Sequence, residues 1–200
     1  MKLYFFPIAP NPTKVRTYLA EKGIEIELEL VSFFEGAQNT PEFRAKNPLG
    51  KLPVLELDDG SILTESLAIM RYLEELHPEP NMVGTTPLER ARISELERIC
   101  ENGVLSAVAR YIHATKSPLD LPPKPQVAEV AWENLQANLE VLDARVGAGP
   151  FVAGDRVTIA DCTLWAGFNF AKFRDVEIDA KYANLLAWRE RFADRPSTQI

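Results

Sequence analysis

The chain has 200 residues, 46% of them hydrophobic and 26% charged, which excludes a disordered, collagenous or disulfide-stapled protein and allows one large domain or two small ones. Its 22 Lys and Arg against 29 Asp and Glu give a net charge of -7, which repels phosphate backbones and anionic lipid, so neither nucleic acid nor a membrane is an expected partner. No apolar run approaches the ~20 residues of a bilayer span, and the apolar stretch after Met1-Lys2 is too short for a signal-peptide core, so a cytoplasmic location is expected. Cys100, Cys162, His77 and His113 stand in no metal-ligand spacing. No metal is expected, and both cysteines read as packed free thiols.

In chain order, Lys2 to Phe6 is a buried strand, the segment Pro7 to Pro12 is a proline-rich turn, and Thr13 opens a helix that Gly23 closes. Glu25 to Val31 alternates acidic and apolar residues, the pattern of a strand with one wet face in an outer position. A short helix from Pro41 to Lys46 follows Thr40, then the turn Asn47-Pro48-Leu49-Gly50. Val54 to Leu57 and Ser61 to Leu63 flank Asp58-Asp59-Gly60 as a hairpin, and Ser66 to Leu76 is a helix ending ahead of His77-Pro78. The order is β-α-β-α-β-β-α. Residues 78–86 read as a linker, and from 87 to 200 the periodicity is helical throughout. Helices are expected near Leu88 to Thr115, Val127 to Val146, Ile159 to Lys172 and Leu185 to Ala193.

Leu52-Pro53 places a proline just ahead of a strand, where it cannot donate to the ladder. A cis bond there would turn the chain and expose the backbone of Leu52 to an extended peptide ligand; a plain turn proline fits the dipeptide equally well. Glu65-Ser66 opens a helix with Ser66 as the natural N-cap, a place that attracts a carboxylate, while Glu65 suits an ammonium. Simple capping explains the pair if it is taken alone.

Taken together, Asn47-Pro48-Leu49-Gly50-Lys51-Leu52-Pro53-Val54 and Thr64-Glu65-Ser66 in a β-α-β-α-β-β-α unit, followed by an all-helical domain, resemble a cytosolic glutathione S-transferase over essentially the whole chain. The resemblance implies an α/β thioredoxin-like N-terminal domain over residues 1–77 that binds glutathione, and an all-α C-terminal domain over residues 87–200. It implies that Leu52, ahead of Pro53, pairs its backbone with the cysteinyl part of glutathione, and that Glu65 and Ser66 hold the γ-glutamyl amine and carboxylate. Lys51 would lie near the glycyl carboxylate or at the rim, with Gln38, in the loop before the second helix, as a further glutathione contact. Gly154 to Asp161 resembles the family's helix-capping segment, with Thr158 and Asp161 forming a box whose role is folding.

Family members activate the glutathione thiol with Tyr, Ser or Cys, and the Ser-type position here is Ala9, which has neither donor nor nucleophile. Ala9-Pro10-Asn11-Pro12-Thr13-Lys14-Val15 is most like the asparagine-bearing segment of the nu-class and related bacterial and fungal members, so Asn11 is the expected catalytic donor. Tyr4, Thr13 and backbone N–H groups at the helix N-terminus are alternatives, Tyr4 being better placed to pack. Tyr111, Trp165, Phe168 and Phe170 include candidates for an apolar second-substrate wall, although helical aromatics more often fill a core. The implied activity is thiol activation for attack on an electrophile, a peroxide or a disulfide, in a homodimer serving detoxification, with glutathione as co-substrate. The alternative is a module of the same fold that binds glutathione or a protein without turnover. Dithiol exchange fails because the Pro7 to Thr13 loop holds no cysteine.

Overall fold

The computed structural model describes residues 1–147 and 149–200. They form two compact units, Met1–Pro80 and Asn81–Ile200. In the first, strands β1 (Lys2–Phe5), β2 (Glu27–Leu30), β3 (Val54–Glu56) and β4 (Ile62–Thr64) lie in the order β2-β1-β3-β4. β1 is parallel to β2 and antiparallel to β3, and β3 is antiparallel to β4. Helices α1 (Pro10–Lys22), α2 (Pro41–Lys46) and α3 (Ser66–Leu76) complete the expected β-α-β-α-β-β-α order.

Side chains alternate across the sheet. Tyr4 and Val54 are paired in register and share a cluster with Phe6, Val31, Phe43 and Leu52. Leu3 and Leu55, the next pair, are fully buried, as are Val15 and Tyr18 of α1 and Ile69, Met70 and Leu73 of α3. The outer position expected for β2 is correct, but both of its faces are wet: Leu28 and Leu30 are 46% and 58% exposed. Where α1 and α3 end, Lys22 Nζ sits 2.8 Å from Glu74 Oε2 and donates to the carbonyls of His77 and Pro80. Tyr18 donates to the same Glu74 oxygen at 2.6 Å, so this buried ion pair keeps its hydrogen-bond partners.

The second unit is helical: α4 (Pro87–Ile99), α5 (Ser106–Thr115), α6 (Pro125–Val146), α7 (Ile159–Phe173) and α8 (Ala183–Ala193). The helix expected from Leu88 to Thr115 is instead α4 and α5 joined through a π-helical stretch, Cys100–Leu105. Its wider turn keeps the helix running while shifting the apolar phase, which a 3.6-residue period does not register. Most of α7 is buried, and Gly167 lets it approach that stretch so closely that a Cβ there would meet the Leu105 Cα at 3.2 Å.

Candidate functional site

Helix α1 begins at Pro10, inside the segment that the sequence suggested was a turn. Prolines at the first turn cost nothing there, because the first N–H groups of a helix have no intrahelical acceptor. Pro10 and Pro12 carry no N–H, so within the first three helical residues Asn11 holds both the backbone donor and the side-chain donor. Ala9 occupies the N-cap without a side-chain hydrogen bond, and its methyl packs against the Phe6, Val31, Leu52 and Val54 cluster. The first turn of α1 contains no acidic residue.

Helix α3 starts in the same open manner. The N-cap is Glu65 rather than the expected Ser66, and Ser66 is the first helical residue. Glu65 has φ 66° and ψ 115°, a left-handed backbone rarely taken by a residue with a Cβ, and its side chain makes no capping bond. This turn brings the start of α3 against the start of α1, where the Ser66 hydroxyl donates to Asn11 Oδ1 at 3.0 Å. Two helix N-termini, each without an acidic residue in its first turn, therefore meet at one hydrogen bond. Their dipoles and orphan N–H groups favour anions at that point.

The loop leading into β3 is held from both sides. The Leu52-Pro53 bond is cis, as is Glu79-Pro80, and the Leu52 side chain belongs to the buried cluster beside Ala9. Asn47 Nδ2 donates to the Lys51 carbonyl at 2.8 Å, while Asn47 Oδ1 accepts from Leu49 N–H. Gly50 has φ 59°, and a Cβ on it would lie 2.9 Å from the Gln38 carbonyl oxygen. Arg44 donates to Asn39 Oδ1 and the Pro48 carbonyl. Lys51 is exposed, whereas Gln38 has a buried Oε1 with no hydrogen-bond partner. Asn47, Gly50 and Arg44 set this loop, and Asn-Pro-Leu-Gly was the signal for the first two.

Other expected groups are engaged elsewhere. Tyr4 packs edge-on against Phe43 and donates to Glu56 Oε2 at 2.6 Å. The Thr13 hydroxyl donates back to the Ala9 carbonyl at 3.0 Å and the Pro7 carbonyl at 3.2 Å, helping to fix the turn into α1. In the second unit, Phe168 and Phe170 are buried, Phe168 edge-on to Trp188, and Trp165 is tilted against Phe192. Tyr111 instead meets Trp132 at 5.0 Å between ring centres, and both line open clefts of about 870 and 520 Å³. His113 lies 2.9 Å from Ser117 Oγ through Nδ1, and burial pushes its pKa down. Among the described residues no group of three or more His, Cys, Asp or Glu is placed to hold a metal ion, and no helix is long and apolar enough to cross a membrane.

The glutathione S-transferase N-terminal domain family matches residues 3–81, and the glutathione S-transferase C-terminal domain family matches residues 104–191. Glutathione S-transferase 2 of Saccharomyces cerevisiae is 33% identical over 206 residues, covering 100% of this chain and 88% of that protein. A maleylacetoacetate isomerase of Pseudomonas aeruginosa is 31% identical, covering 90% of this chain and 85% of that protein. The crystal structure of a glutathione S-transferase domain-containing protein from Marinobacter aquaeolei superposes with a TM-score of 0.92 at 39% identity, covering 99% of this chain and 100% of that one. A thioredoxin-like unit and a helical unit, matched along essentially their whole length, define a glutathione-transferase fold. The chain belongs to the glutathione S-transferase family.

Proposed function

We propose that the first unit holds glutathione across the joined starts of α1 and α3. Asn11 serves the thiol, Glu65 and Ser66 serve the γ-glutamyl amine and carboxylate, and the backbone of Leu52, next to Pro53, lies along the cysteinyl segment. Lys51 and Gln38 lie toward the glycyl end. The observation that carries this reading is the Ser66–Asn11 hydrogen bond, which places two uncapped helix N-termini side by side. Glutathione brings two anions to such a place, its carboxylate and its thiolate.

The chain is a glutathione transferase by family, and its chemistry starts with thiol ionisation. A free thiol has a pKa of about 8.5; an N–H donor and a helix N-terminus lower it by stabilising the thiolate, and the proton leaves to solvent. The thiolate sulfur then forms a bond to an electrophilic carbon, from which a halide leaves with its electron pair or whose C=N π pair moves to nitrogen and takes a proton from solvent. Alternatively it bonds to one atom of a peroxide or disulfide bond, which breaks as its other half leaves with the electron pair. Ala9 supplies no hydroxyl for this, so the donor is Asn11. A homodimer in the cytoplasm, acting in detoxification, is proposed on the family's account alone. The apolar face of α3 adds no argument for a partner subunit, since Met70 and Leu73 are already fully buried in the single chain.

The test is Asn11→Ala. Turnover with aryl halides, isothiocyanates, hydroperoxides and small disulfides should fall by ~10²-fold or more, the scale for losing one preorganised donor. The thiolate absorbance of bound glutathione should move to higher pH, with much less change in calorimetric affinity. Unchanged thiolate absorbance would remove Asn11 from the chemistry.

A further inference from the structure

The Ser66 hydroxyl has one proton to give. It gives that proton to Asn11 Oδ1, across 55 residues of sequence, and Ser66 is only 7% exposed, so water competes little for it. A carboxamide has an acceptor edge and a donor edge, and its terminal torsion is soft and roughly two-fold. With Oδ1 held by Ser66, the Nδ2 group is turned to the opposite side and kept there. Released from Ser66, the amide is free to flip and to present a lone pair where a thiolate needs an N–H. Ser66 also does not need its hydroxyl to meet an anion. As the first residue of α3 it has a backbone N–H that a helix leaves without an intrahelical partner.

The geometry points to Ser66 as a positioning residue for Asn11: its hydroxyl proton fixes which edge of the carboxamide faces the glutathione thiol, while its backbone N–H serves the ligand carboxylate. This rests on the placement of Asn11 at the thiol made above. The division of labour links the two ends of the ligand through one side chain, and it makes the hydroxyl matter for thiol ionisation more than for affinity.

The experiment reads two quantities on the full chain: the thiolate absorbance of bound glutathione against pH, and the calorimetric dissociation constant. Ser66→Ala should lower the thiolate fraction near neutral pH by about tenfold, the fold-change of one hydrogen bond, with a smaller change in affinity. Ser66→Thr, which keeps a hydroxyl, should restore it. In an Asn11→Ala background, adding Ser66→Ala should lower the thiolate no further. Asn11→Asp keeps the acceptor for Ser66 but loses the donor edge and adds a like charge, and should be at least as depleted in thiolate as Asn11→Ala. The inference is overturned if Ser66→Ala changes affinity alone, if it depletes thiolate equally in both backgrounds, or if Asn11→Asp retains the parent's thiolate. If Asn11→Ala itself leaves the thiolate at the parent level, the placement of Asn11 fails and the inference falls with it. If Asn11→Ala depletes the thiolate and Ser66→Ala does not, only the role of Ser66 is lost.

Discussion

Helix α7 starts closed, and helices α1 and α3 start open. At the start of α7, Thr158 and Asp161 form a capping box, and the Asp161 carboxylate is fully buried. One of its oxygens accepts from Val152 N–H and Trp188 Nε1–H, both at 2.9 Å; the other accepts from the Thr158 N–H at 2.9 Å and hydroxyl at 3.0 Å. Burial pushes this carboxyl's pKa up, and the four donated bonds work against that. At the starts of α1 and α3 neither N-cap side chain bonds to the helix, and neither first turn holds a carboxylate. The same physical feature, a cluster of helix N–H groups, is consumed internally in one place and left without a side-chain cap in the other. That difference separates a folding element from the proposed glutathione site without reference to sequence motif.

Breaking the closed end should give the largest effect. Asp161→Ala leaves Val152 N–H, Trp188 Nε1–H and Thr158 N–H buried together without their acceptor, and a stability loss of about 3–5 kcal/mol is expected. This is more than the ~1 kcal/mol of an ordinary cap, because the carboxylate also ties in α8 through Trp188. Urea unfolding checks it, and glutathione affinity per folded molecule should be unchanged. A loss of only a cap's worth would mean that the Val152 and Trp188 donors find water.

Closing an open end should give a smaller effect of the opposite kind. Ala9 has φ -70° and ψ 128°, a conformation that an N-cap aspartate adopts readily. Ala9→Asp should keep the melting temperature near the parent's, because the new cap, worth ~1 kcal/mol, offsets a poorer fit against the apolar cluster. On the proposed placement it should weaken glutathione binding by about tenfold or more, since a fixed carboxylate would then stand where the ligand's anion is proposed to bind. Calorimetry showing parent affinity in this variant would mean that the start of α1 does not contribute to anion binding.

The strands and most helices were legible because local patterns decide them. Alternation in Glu25 to Val31, the Asp-Gly turn before Ser61, and Gly23 and Pro78 as stops each act over a few residues. The box at Thr158 and Asp161 was legible for the same reason, its partners being three residues apart. What the sequence hid lies across long separations or in competing local rules. The bond from Trp188 to Asp161 spans 27 residues and that from Ser66 to Asn11 spans 55. No periodicity reports such pairs. The start of α1 was misplaced because Pro7, Pro10 and Pro12 read as a turn, although a first helical turn tolerates proline equally well. Ser66 was misplaced as the cap because serine is a good one; the positive φ of Glu65, which moves the cap one residue back, has no local signature.

A titrating group also lies at a helix end, which sharpens the contrast with Asp161. His113 lies in the last turn of α5, where its Nδ1 meets Ser117 Oγ, and Ser117 Oγ accepts from Leu119 N–H at 3.2 Å. The C-terminal end of a helix favours a cation, but burial beside Phe170 wins, and the imidazole's pKa sits below its ordinary value of 6.5. The folded protein therefore resists the proton that the unfolded chain accepts. Between the ordinary and the lowered pKa the unfolded state binds more protons, so stability rises with pH in that window. It is lost as pH falls through about 6.5, and the loss levels off once the folded-state pKa is passed. Thermal melts of the parent should show this decline between about pH 7 and 5.5, above the range in which ordinary carboxylates titrate. In His113→Gln, whose amide keeps a polar partner for Ser117 and cannot titrate, the melting temperature should change less over the same interval. Parallel losses in parent and variant would assign the pH response to groups other than His113.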